Sequence, residues 1–100
     1  DIILLSSGED GHVGSLFPNS SVKDPSEFFV NVKESPKPPA NRISASRRLL
    51  QKSKCALLLF FGEEKREAYE NFMNNELTIA DCPAKLVNSI EDSYVFTDLE

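Results

Sequence analysis

Five stretches of the chain have the hydrophobic pattern of β-strands. The apolar runs at residues 2–5 and 55–61 predict buried strands. The second run has no alternation, which is typical of a central parallel strand covered on both faces. Residues 42–46 alternate polar and apolar side chains, as a half-buried strand does. Residues 27–32 and 93–97 are rich in β-forming side chains, so a sheet of several short strands is expected.

Helical patterns lie mainly in the second half of the chain. Glu63 and Glu64 predict a helix start directly after the longest apolar run, because acidic side chains stabilise the positive end of a helix dipole. Shorter helical segments are expected near 49–53 and 81–88, and residues 98–100 resemble the start of another helix. Four side chains recur at helical spacing and are expected to face the core: Ala68, Tyr69, Phe72 and Met73.

Composition and charge exclude several classes of protein. The chain has 100 residues, 40% of them hydrophobic, and a net charge of −5. This charge argues against a surface for nucleic acid or an anionic membrane, and no apolar run approaches the ~20 residues of a membrane span. Cys55 and Cys82 lack the spacing of a disulfide framework or a metal site, so a reduced, cytoplasmic protein is expected. Neither a nucleotide-binding glycine motif nor a cluster of metal ligands occurs, and we expect no metal or cofactor.

The candidate chemistry is concentrated in residues 8–18, directly after the first predicted strand. Gly8 and Gly11 flank Asp10 and allow a sharp bend and a close approach to a ligand. The only histidine of the chain, His12, follows. The predicted order of strand, glycine loop, strand, strand and helix is that of an open α/β sheet, in which ligands bind at the C-terminal ends of strands. A lone histidine on such a loop is more often structural, so the surrounding motif has to decide its role.

That motif resembles one enzyme family. Residues 8–18 are Gly-Glu-Asp-Gly-His-Val-Gly-Ser-Leu-Phe-Pro, which is similar to the loop of the 6-phosphogluconolactonases. The family is related to the glucosamine-6-phosphate deaminases, and the resemblance implies their α/β fold, an open and mostly parallel Rossmann-like sheet with flanking helices. The deaminases continue after the histidine with Ala-Phe-Asn-Glu-Pro, whose glutamate this chain lacks. Ser-Leu-Phe-Pro favours the lactonase branch, although Gly14 stands where lactonases usually have alanine.

The resemblance implies a reaction and a role for the loop. The reaction is hydrolysis of 6-phospho-glucono-δ-lactone to 6-phosphogluconate in the oxidative pentose phosphate pathway, without a metal or organic cofactor. His12 would be the general acid/base, activating water with no covalent intermediate. Asp10 would either orient the imidazole or only shape the loop. The backbone N–H groups of Gly11 and His12 are expected to hold the oxyanion.

The resemblance also implies residues for the phosphate group of the substrate. Arg42 matches the arginine that opens an Arg-Ile-Thr strand in the family, and a Ser-Pro-Lys-Pro-Pro connector at 35–39 precedes it. Ser44 keeps the hydroxyl of the family's threonine. Lys65 matches the lysine of a Gly-x-x-Lys motif at a helix N-terminus, where free N–H groups also favour an anion. Without the resemblance, Arg42 would be a strand-edge arginine and Lys65 an exposed helix lysine paired with a glutamate.

The resemblance covers only the second half of the family's pattern. Residues 1–100 are therefore expected to be the C-terminal part of a single lactonase-like domain in a larger protein, with a phosphorylated sugar lactone as ligand. Two other functions stay open at this point. One is a deaminase/isomerase acting on glucosamine 6-phosphate. The other is a non-catalytic lactonase-like domain, fused to or associated with glucose-6-phosphate dehydrogenase, a fusion seen in some members of the family.

Overall fold

A computed structural model of the chain describes residues 1–99 and contains a parallel sheet and an antiparallel ribbon. Its strands are β1 (Ile2–Ser6), β2 (Phe29–Val32), β3 (Arg42–Ala45), β4 (Cys55–Phe60) and β5 (Asp92–Thr97). The main sheet is parallel with the order β1-β4-β5, and Leu4, Leu57 and Tyr94 lie side by side in its register. The expected α/β fold with β4 as the central parallel strand is confirmed.

The helices are shorter than the sequence pattern suggests. They are α1 (Arg47–Leu50) and α2 (Arg66–Met73), with 3₁₀ segments at Ser21–Lys23, Glu63–Lys65 and Pro83–Ser89. The helix after β4 begins at Arg66 rather than at Glu63, because a 3₁₀ turn leads into it. Asp98 and Leu99 are not helical, and Glu100, the end of the helix expected at 98–100, lies outside the described residues. No helix within residues 1–99 is long and apolar enough to cross a membrane.

The core lies on one face of the main sheet. Its members from β4 are Ala56, Leu58 and Phe60. Ala68 and Phe72 of α2, one helical turn apart, belong to the same core, and the Phe60 and Phe72 ring centroids are 5.4 Å apart. The expectation that Met73 also faces the core is wrong, since its side chain is 59% exposed. Met73 follows Phe72 directly and therefore lies about 100° further round the helix.

The other face of the main sheet is largely exposed. Successive side chains of a strand point to opposite faces, so Ile2 and Leu4 of β1 share this face with Tyr94 and Phe96 of β5, and all four are exposed. The expectations that the first apolar run is a buried strand and that β4 is covered on both faces are therefore wrong. Within residues 1–99, α2 and Pro83–Ser89 contribute their buried side chains to the opposite face.

The antiparallel ribbon of β2 and β3 lies between β1 and β4 in the chain. The proline-rich residues 34–39 join its two strands, in agreement with the connector expected there. Val30 and Val32 pack with Phe17, from the loop after β1, in a small second core. The ribbon thereby places Arg42, the first residue of β3, beside the loop that carries the histidine.

Candidate active site

The loop after β1 is shaped by hydrogen bonds within its own backbone. Since β1 is parallel to β4, the loop leaves the C-terminal edge of the main sheet. The Gly8 N–H donates to the His12 carbonyl at 2.8 Å, and the Gly11 N–H donates to the Gly8 carbonyl at 3.1 Å. Gly11 has a φ of +87°, a left-handed conformation that favours glycine. The turn brings Asp10 and His12 to the edge where α/β sheets bind ligands.

Asp10 holds His12 with one carboxylate oxygen. Its Oδ1 lies 2.5 Å from Nδ1 of the imidazole and accepts the His12 backbone N–H at 3.1 Å. Burial would raise the pKa of the Asp10 carboxyl, but these hydrogen bonds and the attraction to the imidazole lower it below its usual value. An ionised carboxylate at Nδ1 places the ring proton there and leaves a lone pair on Nε2. Among residues 1–99, Nε2 has no hydrogen-bond partner and is available as a base.

Gly8 packs directly against the imidazole ring. A Cβ atom at Gly8 would lie 2.0 Å from Cε1 and 2.2 Å from Nδ1 of His12, so only glycine fits there. The Phe17 ring also contacts the imidazole, with centroids 4.7 Å apart. The His12 side chain is 16% exposed. Its neighbours therefore fix the ring while part of it stays open to solvent.

The two N–H groups expected to hold an oxyanion are both paired inside the loop. The Gly11 N–H binds the Gly8 carbonyl, and the His12 N–H binds Asp10. Gly11 also lies against the buried Cys82, whose Sγ would be 3.0 Å from a Cβ at this position. Burial raises the pKa of the Cys82 thiol and keeps it protonated at neutral pH. The oxyanion role stays a prediction, because it requires the loop to release these groups.

Most of the Arg42 guanidinium is bound to the proline-rich connector. Nε donates to the Pro39 carbonyl at 3.0 Å, and Nη2 donates to the carbonyls of Lys37 and Pro38 at 2.9 and 2.8 Å. Nη1 reaches Oγ of Ser15 at 3.4 Å. Since a guanidinium has five N–H groups, one N–H on Nη1 is left for an anion.

Ser44 supports the histidine loop from the ribbon. Its buried hydroxyl accepts the Ser15 N–H at 3.1 Å and donates to the Ala45 carbonyl at 2.9 Å. A hydroxyl has a single proton to donate, and here that proton is used. The structure therefore favours a role in holding the loop over the substrate contact predicted for Ser44.

Lys65 reaches the site from the 3₁₀ turn after β4. Its Nζ donates to the Ser7 carbonyl at 2.7 Å, directly before the glycine that packs on His12. Two of the three ammonium N–H groups are left for an anion. Gly62, which starts the turn, has a φ of +97°, so the presentation of Lys65 depends on glycine.

Two of the predicted site residues line different cavities. Asp10 lines a cavity of about 570 Å³, and Arg42 lines a separate cavity of about 560 Å³ on the ribbon. Phe17 lies between His12 and Arg42, with the Arg42 guanidinium carbon 5.4 Å from its ring centroid. Sequence reasoning missed this residue, for which the Ser-Leu-Phe-Pro motif was the available signal. In the part of the chain that the structure describes, no three His, Cys, Asp or Glu side chains are grouped to hold a metal ion.

Known proteins resemble the chain over almost its whole length. A 6-phosphogluconolactonase from Borreliella burgdorferi is 39% identical over 101 aligned residues, which cover 100% of this chain and 43% of the relative. The solved 6-phosphogluconolactonase of Thermotoga maritima has 26% identity and a TM-score of 0.81, over 97% of this chain and 42% of that chain. A monomeric glucosamine-6-phosphate deaminase has 26% identity and a TM-score of 0.75, over 97% and 44% of the two chains.

These comparisons place the chain in one family. The chain spans about two fifths of the length of such relatives. It covers 43% of the Borreliella burgdorferi protein and 40% of a 6-phosphogluconolactonase from Mycobacterium leprae. The sequence pattern of the glucosamine-6-phosphate isomerases/6-phosphogluconolactonase family matches residues 1–96. The chain therefore belongs to the family of glucosamine-6-phosphate isomerases and 6-phosphogluconolactonases.

Proposed function

We propose that this chain carries the acid/base centre of a lactonase that hydrolyses 6-phospho-glucono-δ-lactone to 6-phosphogluconate. The observation that carries the proposal is the Asp10–His12 pair, with a carboxylate oxygen 2.5 Å from Nδ1 and with Nε2 unpaired among residues 1–99. The relatives named 6-phosphogluconolactonase support the substrate. The chain spans about two fifths of such relatives. Since the resemblance is to the second half of the family's pattern, we also propose that residues 1–100 are the C-terminal part of one lactonase-like domain.

His12 acts first as a base and then as an acid. Nε2 takes a proton from water, whose oxygen attacks the lactone carbonyl carbon and forms a tetrahedral oxyanion. The oxyanion collapses, the bond from that carbon to the ring oxygen breaks, and the ring oxygen takes the proton from Nε2. Asp10 stays ionised, keeps a proton on Nδ1 and stabilises the imidazolium between the two steps.

Lys65 and Arg42 hold the phosphate group of the substrate. Lys65 offers two N–H groups of its ammonium, and Arg42 offers one N–H of Nη1. Backbone carbonyls already hold both side chains, so little conformational freedom is lost when the anion binds. Ser44 contributes indirectly, by fixing the N–H of Ser15 in the histidine loop.

A second function, deamination of glucosamine 6-phosphate, is supported by the deaminase of the same fold. The similar loop of the deaminases continues after the histidine with Ala-Phe-Asn-Glu-Pro, which supplies a glutamate. In this chain Phe17 stands directly before the proline, where that motif has its glutamate, and a phenyl ring cannot replace a carboxylate in proton transfer. We therefore favour the lactonase. A cytoplasmic location and association with glucose-6-phosphate dehydrogenase stay predictions.

The test is lactone hydrolysis by the full-length protein that contains this chain, with the spontaneous rate subtracted because the lactone opens unaided. His12→Asn is expected to lower kcat at least about 100-fold, while its circular dichroism spectrum matches the wild type. A wild type without a rate above background would refute the lactonase, and the deaminase assay follows. Activity on neither substrate would support a non-catalytic domain.

A further inference from the structure

The ring of Phe17 contacts both ends of the proposed site. Its centroid lies 4.7 Å from the centroid of the His12 imidazole and 5.4 Å from the guanidinium carbon of Arg42. These are ordinary distances for an aromatic pair and for a cation–π contact. Within residues 1–99, no hydrogen bond or ion pair joins His12 to Arg42. Phe17 is therefore a shared neighbour of two groups that do not bind each other.

The position of Phe17 is fixed by its side chain and by its backbone. The side chain is 1% exposed and packs with Val30 and Val32 of the ribbon. The Phe17 N–H donates to Oγ of Ser21 at 2.9 Å, and the Ser21 hydroxyl donates to the Ser15 carbonyl at 2.6 Å. Close-packed interiors transmit strain. A ring fixed in this way can therefore pass a shift of the guanidinium on to the imidazole.

We propose that Phe17 is a positioning residue that couples phosphate binding at Arg42 to the orientation of His12. The inference rests on the proposed function. When a phosphate engages the remaining N–H of Arg42, the guanidinium is held against the Phe17 ring, and the ring holds the imidazole with Nε2 towards the lactone. For a phosphorylated lactone the coupling therefore raises kcat, while phosphate binding lowers KM. An unphosphorylated lactone does not use the coupling.

A purely structural Phe17 would behave differently. Its loss would disturb the small core with Val30 and Val32 and would lower the amount of folded protein for both substrates alike. The ratio of kcat for the phosphorylated lactone to kcat for the unphosphorylated lactone separates the two roles, because the same folded molecules hydrolyse both.

The kinetic experiment compares Phe17→Met with Phe29→Met in the full-length protein. Methionine fills much of the volume of phenylalanine without a ring. Phe29 lies on β2, is 63% exposed and forms no ring contact with His12 or Arg42 in the described chain. We expect Phe17→Met to lower the kcat ratio about tenfold and Phe29→Met to leave it unchanged. An unchanged ratio in Phe17→Met would overturn the proposal.

An NMR titration with inorganic phosphate tests the coupling without any lactone. We expect phosphate to shift the imidazole signals of His12 in the wild type and in Phe29→Met. In Phe17→Met the shift should be lost although calorimetry still detects phosphate binding. A full shift in Phe17→Met overturns the coupling, even if the protein is not a lactonase. If Phe17→Met does not fold, the wild type decides, because phosphate binding without a His12 shift also overturns the proposal.

Discussion

The site has a histidine end, formed by Asp10 and His12, and a cationic end, formed by Arg42 and Lys65. The two ends are held in different ways. His12 is fixed by its own loop, through Asp10 two positions before it and Gly8 four positions before it. Arg42 and Lys65 reach the site through contacts between segments that are distant in the chain. The contacts of the first arrangement join residues that are at most four positions apart. The second exists only when the main sheet and the ribbon are assembled.

The cationic end depends on few long-range contacts. Nζ of Lys65 reaches the Ser7 carbonyl across 58 positions, and Nη1 of Arg42 reaches Oγ of Ser15 across 27 positions. The second contact, at 3.4 Å, is long for a hydrogen bond. The two ends are therefore expected to respond differently to substitution. Changes beside His12 act on kcat, and loss of the Lys65 charge acts on KM for a phosphorylated substrate.

Among these substitutions, we expect Gly8→Ala to have the largest effect, because it displaces the imidazole of His12. A Cβ atom would lie 2.0 Å from Cε1 of His12, so the imidazole has to rotate out of its place. Misplacement of a catalytic group by about 1 Å can cost about 100-fold in rate, and we expect kcat to fall by about that factor. KM for the phosphorylated lactone is expected to stay near the wild-type value, and steady-state kinetics measures both.

Gly14→Ala is the matched control in the same loop. Gly14 has a φ of +57°, and its Cβ would approach Oγ of Ser44 to 3.1 Å without coming near His12. Alanine at this φ costs about 1 kcal/mol of stability, but the imidazole keeps its place and kcat is retained. A loss of kcat as large as that of Gly8→Ala would contradict the steric explanation, because any added methyl group in the loop would then suffice.

Lys65→Met tests whether the cationic end binds the phosphate group of the substrate. The substitution keeps the aliphatic stem and removes the charge, whose hydrogen bond to a phosphate is worth about 1.5–3 kcal/mol. We expect KM for the phosphorylated lactone to rise about tenfold or more, and KM for the unphosphorylated lactone to change less than about twofold. kcat should stay near the wild-type value for both substrates.

Lys54→Met controls for the loss of a surface charge. Lys54 is exposed and directly precedes β4, so it lies at the opposite edge of the main sheet from Lys65. It should change neither KM. Equal increases for both lactones in Lys65→Met would remove the phosphate assignment and leave Lys65 as a support for the Ser7 carbonyl.

The sequence predictions were more accurate for features formed by neighbouring residues than for features formed by distant segments. The central strand β4 and the parallel sheet follow from an apolar run and its flanking turns, and the structure confirms both. The loop with Asp10 and His12 was predicted as one unit because its residues are neighbours in the chain. Short-range patterns of this kind are visible in a single sequence.

Features that depend on which segments meet were not predictable in the same way. Nothing in the pattern around Arg42 shows that connector carbonyls occupy most of its guanidinium, and nothing around Ser44 shows that its hydroxyl holds Ser15. The exposure of Ile2 and Leu4 has the same origin. An apolar run indicates that a strand can be buried, but the packing of other segments decides which face of the strand is covered.

The smallest expected effect is the contribution of the Asp10–His12 pair to stability. Burial raises the pKa of Asp10, but the bonds to His12 outweigh it and hold the pKa below its usual value. A carboxyl with a lowered pKa in the folded state stabilises the fold above its unfolded pKa of about 4, and this stability is lost as pH falls through the folded pKa. The Asp10 side chain is 36% exposed, so solvent screening keeps the contribution below about 1 kcal/mol.

Urea unfolding of the full-length protein from about pH 7 to about pH 3 measures this contribution. The wild type should be more stable than Asp10→Asn above about pH 4, and the difference should shrink below it. Glu9→Gln is the control, since Glu9 is exposed and its carboxylate is 3.7 Å from Nζ of Lys37. If Asp10→Asn matched the wild type at every pH, the carboxylate would add nothing to the fold. The histidine end would then be held by its backbone turns and by packing against Gly8 and Phe17, with Asp10 serving only to keep the proton on Nδ1 of the imidazole.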